Sequence, residues 1–210
     1  MDVSTQQPQP VPRSSGAVIV IAGPDGCGKT TIVTRLESLL APRPILSLHH
    51  RPRLLPSRTR HSGPVLEPHK QEPYSRVLSL AKLLFLFLDY QLGWRFRIAP
   101  FVRRGGVVLL ERGWWDLLVD QRRYRLHAPS GLIRALGRLL PQPDLSLILT
   151  GDPATIYRRK PELPEPELKR QLDAWRDAPL ETARTVFISV DRPIDEVLGQ
   201  VQQSMTRLSS

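Results

Sequence analysis

One short stretch constrains this chain more than any other: Gly23-Pro-Asp-Gly-Cys-Gly-Lys-Thr-Thr31. It satisfies G-x-x-x-x-G-K-[ST], and its flanks satisfy what that pattern requires. Before it, Ala17–Gly23 reads AVIVIAG, an unbroken apolar run of the kind buried on both faces of a parallel sheet. After it, Ile32, Leu36, Leu39 and Leu40 recur at helical spacing. A strand, a glycine turn and a helix start in succession aim backbone N–H groups and the positive helix end at one point. Such a point holds phosphate. Gly23, Gly26 and Gly28 permit the tight turn, with Asp25, Cys27 and Thr31 completing the loop and Cys27 acting as a small filler. Lys29 is expected at the β and γ phosphates of a nucleotide, and the Thr30 hydroxyl at Mg²⁺.

The remainder alternates strand and helix. Ile45–His50, Gly105–Arg112, Pro143–Thr150 and Thr185–Val190 read as further strands, nearly all apolar. Helices are expected over about 74–102, within 114–140, after Asp152, over 167–178 and at the C-terminal end, with Pro100 suggesting a kink or an earlier stop. This alternation predicts an α/β fold, a five-stranded parallel sheet with helices on both faces. Seven prolines between Pro42 and Pro73 predict an extended, mobile loop over about 51–73. Residues 1–15, polar and proline-rich, read as a disordered lead-in to a single domain over 16–210.

Composition narrows the class. The net charge is +10, and only five of the 30 basic residues are lysine. Arginine makes planar, bidentate contacts to phosphate, so the excess suits an anionic ligand. No basic-aromatic nucleic-acid module is visible, which argues against nucleic acid as the main partner. The single cysteine, Cys27, cannot form an intrachain disulfide, and a cytoplasmic setting is expected. The run LLFLFL over Leu83–Leu88 is far shorter than the ~20 apolar residues of a membrane span, so a buried helix and no membrane partner are expected. The same helix leaves a homodimer open.

The chain contains no asparagine, which excludes the Asn-Lys-x-Asp guanine reader of switch GTPases. A motor or helicase ATPase needs more chain than 210 residues provide. A small phosphotransferase remains. Glu111 and Arg112 stand at the C-terminal tip of a buried strand, where open α/β sheets bind ligands. There a carboxylate can hold Mg²⁺ and an arginine can bridge donor and acceptor.

Here the sequence resembles the thymidylate kinase-like family of P-loop nucleotide and nucleoside kinases, over about Ala17–Met205. The resemblance implies a three-layer P-loop NTPase sandwich, with ATP and Mg²⁺ as cofactors and a small acceptor, a nucleoside monophosphate foremost. TIYRRKPELPEPELKRQ is similar to that family's lid, here about 156–168, which implies Arg158 and Arg159 as lid arginines. ISVDRPIDEV is similar to its adenine flank, which implies Asp191, Arg192 and Pro193 beside the base.

The chain departs from the family just after the second strand. An acidic residue is usual there; this chain has LHHRPRLLP. Arg51 and Arg53 suit a phosphorylated acceptor, which needs no base. A hydroxyl acceptor would instead take His50, Glu111, Asp89 or Asp116 as base. Asp116 and Asp120, spaced for one helix face with Arg123 beyond, can line the acceptor pocket beside Trp114 or Trp115, or form a salt-bridged helix over core tryptophans. Asp89 faces the acceptor pocket or an Arg95 contact. A regulatory nucleotide-binding or nucleic-acid-associated protein is the third reading, supported by the arginines from Arg51 to Arg60.

Overall fold

A computed structural model describes residues 16–56, 72–180 and 185–206; the lead-in over 1–15 and most of the expected proline-rich loop lie outside them. The strands are β1 (Ala17–Ala22), β2 (Ile45–His49), β3 (Val107–Glu111), β4 (Leu145–Thr150) and β5 (Thr185–Ser189). They form one all-parallel sheet in the order β2-β3-β1-β4-β5. The strands β1, β3 and β4 are buried almost end to end, as their largely apolar runs demand. The edge strands β2 and β5 are only partly covered.

The helices are α1 (Lys29–Leu40), α2 (Arg76–Gly93), α3 (Ala99–Arg103), α4 (Asp116–Val119), α5 (Ser130–Arg138), α6 (Pro153–Arg159), α7 (Glu165–Arg176) and α8 (Ile194–Thr206). Alternate residues of β1 point to opposite faces and so enter two separate cores. Ile19 and Ile21 pack with Ile32 and Leu36 of α1 and Val197 and Val201 of α8. Val18 and Val20 pack with Leu83, Leu86 and Tyr90 of α2, Ile133 of α5 and Trp114. The result is three layers.

The long helix expected over 74–102 is divided. It opens at α2, where the Ser75 hydroxyl accepts from the Leu78 N–H at 3.4 Å. The α-helical ladder stops at Gly93, and a π-helical stretch, Trp94–Ile98, leads into α3. The Ala99 N–H reaches back to the Trp94 carbonyl, so the ladder has already shifted when Pro100 arrives without a donor. Nor is α2 wholly buried. Leu83, Leu86 and Tyr90 face the sheet, while Leu84 (55% exposed), Leu88 and Leu92 face outward, as does Phe96 (63%) in the π-helical stretch that follows. A helix laid on one sheet face covers only one of its sides. By length and composition, Arg76–Arg103 is the one helix among the described residues able to cross a membrane, and a soluble protein's core helix passes the same test.

Register positions the site. β1 pairs with β3 so that Ile21 lies opposite Glu111, and β2 pairs so that His49 also lies opposite Glu111. The C-terminal tips of these strands are therefore level, and the loops leaving them converge.

Candidate active site

The chain leaves β1 into the glycine loop. Gly23 has φ 139°, and a Cβ there would stand 2.5 Å from the Leu149 carbonyl oxygen, so only glycine fits. Gly28, at φ 81°, turns the chain into α1. Lys29 opens that helix and is buried; its Nζ donates to the carbonyls of Gly23 (2.9 Å) and Pro24 (2.7 Å). Burial and the neighbouring Arg112 push its pKa down. The hydroxyl of Thr30 donates to the Glu111 carboxylate, 3.1 Å from Oε1 and 3.2 Å from Oε2. Burial would raise the Glu111 carboxyl, but hydrogen bonds from His49 and Thr30 hold it below the usual range. A hydroxyl and a carboxylate meeting beside a glycine loop form the hard oxygen pair that Mg²⁺ accepts alongside substrate phosphates.

Arg112 follows, in the left-handed region at φ 71°. Its N–H is tied to the Ile21 carbonyl at 2.9 Å, fixing the turn against β1. From there its guanidinium donates to Asp25 in the glycine loop, and Nη1 lies 3.5 Å from Asp116 Oδ1. Asp25 also accepts from Arg123. Burial opposes ionisation of Asp25, yet Lys29, Arg112 and Arg123 hold its carboxyl well below the ordinary range. Asp116 is buried, which raises its pKa against the pull of Arg112, and it accepts the Gly113 N–H at 2.7 Å.

The expected shared helix face of Asp116 and Asp120 does not form, because α4 ends at Val119. Asp120 lies past that end and accepts from the Arg123 N–H (3.1 Å) and from Gln171 Nε2 (3.2 Å).

The loop after β2 supplies the third side. His50 sits at φ 67° with its ring stacked on Tyr124, centroids 4.4 Å apart. Its carbonyl accepts from the Tyr90 hydroxyl. Burial, then Arg112, push the His50 pKa well below 6.5, so the imidazole is neutral. Three atoms here are buried without a hydrogen-bond partner among the described residues: His50 Nδ1, Arg112 Nε and the Tyr124 hydroxyl. Asp89 faces this loop and not Arg95. Fully buried, it accepts from Arg51 Nη1 at 2.8 Å and from the backbone N–H groups of Arg53 (3.2 Å) and Leu55 (2.6 Å).

The opposite side, near β4 and β5, carries the residues expected at lid and base. Arg158 donates to Thr155 on its own helix at 3.1 Å. Arg159 donates to the Val190 carbonyl at the end of β5. Asp191 accepts the Asp152 N–H at 2.9 Å and so ties together the loops after β4 and β5. Arg192 is exposed, 3.6 Å from Glu196, and Pro193 immediately precedes α8. Thr31 is exposed on the first turn of α1. Cys27 is a core residue whose thiol is pushed up to about 11 by burial. Trp115 is buried in the α2-side core, where with Gly113 and Asp116 it lines a mostly apolar cavity.

The structure thus gathers Asp25, Lys29, Thr30, Glu111, Arg112 and Asp116 at the C-terminal ends of β1 and β3, with His50 adjoining through Tyr124. Tyr124 was not singled out from sequence, since no spacing rule links a turn residue there to His50 in the loop after β2.

An open parallel sheet with this glycine loop leaving its central strand defines a P-loop NTPase fold. Solved structures place it more closely. The chain is similar to a thymidylate kinase from Ehrlichia chaffeensis, with TM-score 0.56 and 19% identity over 91% of this chain and 99% of that one. It is also similar to a thymidylate kinase from Candida albicans, with TM-score 0.62 and 19% identity over 93% and 94% of the two chains. The fold is thymidylate kinase-like. No protein-family model matches the chain, and no curated protein matches it.

Proposed function

We propose that the protein is an ATP- and Mg²⁺-dependent phosphotransferase that moves the γ-phosphoryl group to a small acceptor. One observation carries this reading: the Thr30 hydroxyl and the Glu111 carboxylate meet at 3.1 Å, one residue from the buried ammonium of Lys29. That is the set a metal-bound triphosphate requires.

The glycine-loop amides and Lys29 would neutralise the phosphate oxygens, while Thr30 and Glu111 would hold the metal. Mg²⁺, when bound, supplies charge neutralisation across the phosphates. Arg112, braced by Asp25 and Asp116, would face the transferring group from the acceptor side. Arg158 and Arg159 would have to leave their present partners to close over the nucleotide. Asp191, Arg192 and Pro193 would flank the base. The likeness in fold to thymidylate kinases agrees with this reading and leaves the acceptor open.

The test is transfer of label from γ-labelled ATP to a panel of nucleotides, nucleosides and sugars with Mg²⁺ present. Lys29→Ala is expected to lower transfer by at least about 10³-fold, the scale of losing a key phosphate-stabilising charge. Full activity in that variant would remove the glycine loop from the chemistry.

A further inference from the structure

Exposed charge is unevenly divided along the chain. From Arg76 to Pro143 no acidic residue is exposed: Asp89, Asp116 and Asp120 are buried, and Glu111 stands half-buried in the candidate site. Arg76, Arg95, Arg103 and Arg104 are exposed there, at the start of α2, in the π-helical stretch and at the end of α3. The nearest acids in the chain outside this stretch are Glu72 and Asp144, the latter accepting the Val18 N–H at 2.7 Å. Such an asymmetry marks a surface for an anionic partner.

The same layer carries an apolar row. Val77, Leu80, Leu84, Leu88 and Leu92 follow at steps of three or four and line one side of α2, and Phe96 carries the row into the π-helical stretch. All six are exposed. The row is roughly 30 Å long at the rise of an α-helix. Leu139, exposed just past α5, adjoins it, because Gln91 Nε2 donates to the Leu139 carbonyl at 2.8 Å. No charged side chain interrupts the row: Lys82 turns inward to the Tyr124 carbonyl at 2.6 Å, and Asp89 is fully buried. At its far end the Arg95 guanidinium stands 5.9 Å from the centre of the Phe96 ring. A scattered exposed leucine needs no explanation; an unbroken row does.

Three kinds of partner compete for such a face. A two-fold dimer pairs a face with itself, so these arginines would meet a surface equally devoid of exposed acid. A nucleic acid would take the arginines and leave the leucines in water. An anionic lipid surface takes both, the row entering the boundary between headgroups and acyl chains while the guanidinium groups stay among the headgroups. We propose that the outer side of α2 docks in the plane of an anionic membrane surface. The helix does not cross it, since Leu83, Leu86 and Tyr90 on its other side are buried against the sheet. The shortness of LLFLFL argues only against crossing; docking in plane needs an apolar row on one side of a helix. The inference is independent of the phosphotransferase reading.

The experiment sediments the full chain with vesicles of phosphatidylcholine alone and with vesicles of equal parts phosphatidylcholine and phosphatidylserine, at low and high salt. Partitioning is expected to be at least about tenfold stronger on the serine-containing vesicles and to weaken as salt rises. Leu84→Gln combined with Leu88→Gln is expected to lower it at least about tenfold, and Arg95→Gln about fivefold. Thermal melts of both variants should match the wild type, because all three side chains are exposed. Equal partitioning on the two vesicle types, absence of partitioning, or unchanged partitioning in the leucine variant overturns the inference. Should the leucine variant melt lower, unchanged partitioning in Arg95→Gln overturns it in the same way. A dimer in solution that the leucine variant dissociates would give the face to a second copy. Tighter binding to duplex DNA than to the serine-containing vesicles, unaffected by the leucine variant, would give the arginines to a nucleic acid. Either result overturns the membrane assignment.

Discussion

Asp25 lies in the glycine loop, yet its partners come from two other segments, Arg112 after β3 and Arg123 beyond α4. A buried carboxylate in that position ties the glycine loop to the segments that follow β3 and α4. Arg112 is therefore expected to act on both catalysis and stability. Arg112→Ala should lower transfer by about 10³-fold, the effect of removing an arginine aimed at transition-state charge. It should also cost about 3–5 kcal/mol of stability, since Asp25 and Asp116 lose a buried partner. Turnover and urea midpoints measured together check this; a variant with normal turnover and normal midpoint would place Arg112 outside both roles.

At the scale of elements, the loop after β2 owes its path to α2. Asp89 on α2 gathers Arg51, Arg53 and Leu55, while Gly93 makes room for Pro52: a Cβ on Gly93 would stand 2.2 Å from the Pro52 Cβ. Helix and loop thus close on each other with no slack. Gly93→Ala should cost about 1–3 kcal/mol through overpacking, lowering Tm by roughly 2–4 °C for each kcal/mol in a domain of this size. Because Pro52 follows His50 closely, the acceptor KM should rise while the KM for ATP stays constant. Matched thermal melts and steady-state kinetics read both effects. Equal changes in the two Michaelis constants would show that the loop serves the whole site instead.

Over the whole molecule, the contribution of His50 to the pH dependence of stability has a defined sign, opposite to that of Asp116, whose raised pKa favours folding as pH falls. His50 is neutral when folded because burial depresses its pKa well below 6.5, whereas the unfolded chain protonates near that value. The unfolded state then binds more protons as pH falls. This contribution is present above pH 6.5 and is lost as pH falls from there toward the folded value. Tm should decline between pH 7 and pH 5, and His50→Phe, which keeps a ring against Tyr124, should flatten that slope. Asp25 acts in the same direction further down, its stabilisation being lost below the ordinary carboxylate range as its depressed pKa is approached. An identical slope in the wild type and in His50→Phe would contradict the neutral, buried imidazole.

What the sequence settled by itself is local or periodic. The glycine loop, the apolar strands and the helix after Lys29 follow from backbone sterics and from the burial that alternating strands and helices impose. The Glu111–Arg112 pair was legible because a charge at the tip of a buried strand has only one end of the sheet to occupy. Tertiary structure decided the pairings. Asp89 and Arg51, Asp25 and Arg123, and His50 and Tyr124 are 38, 98 and 74 residues apart. No spacing rule connects such residues; strand order brings them together, and desolvation then selects which opposite charge each one takes. The same holds for Asp120, which α4 releases by ending at Val119, and for the outer face of α2, whose exposure depends on what packs against it rather than on its own composition.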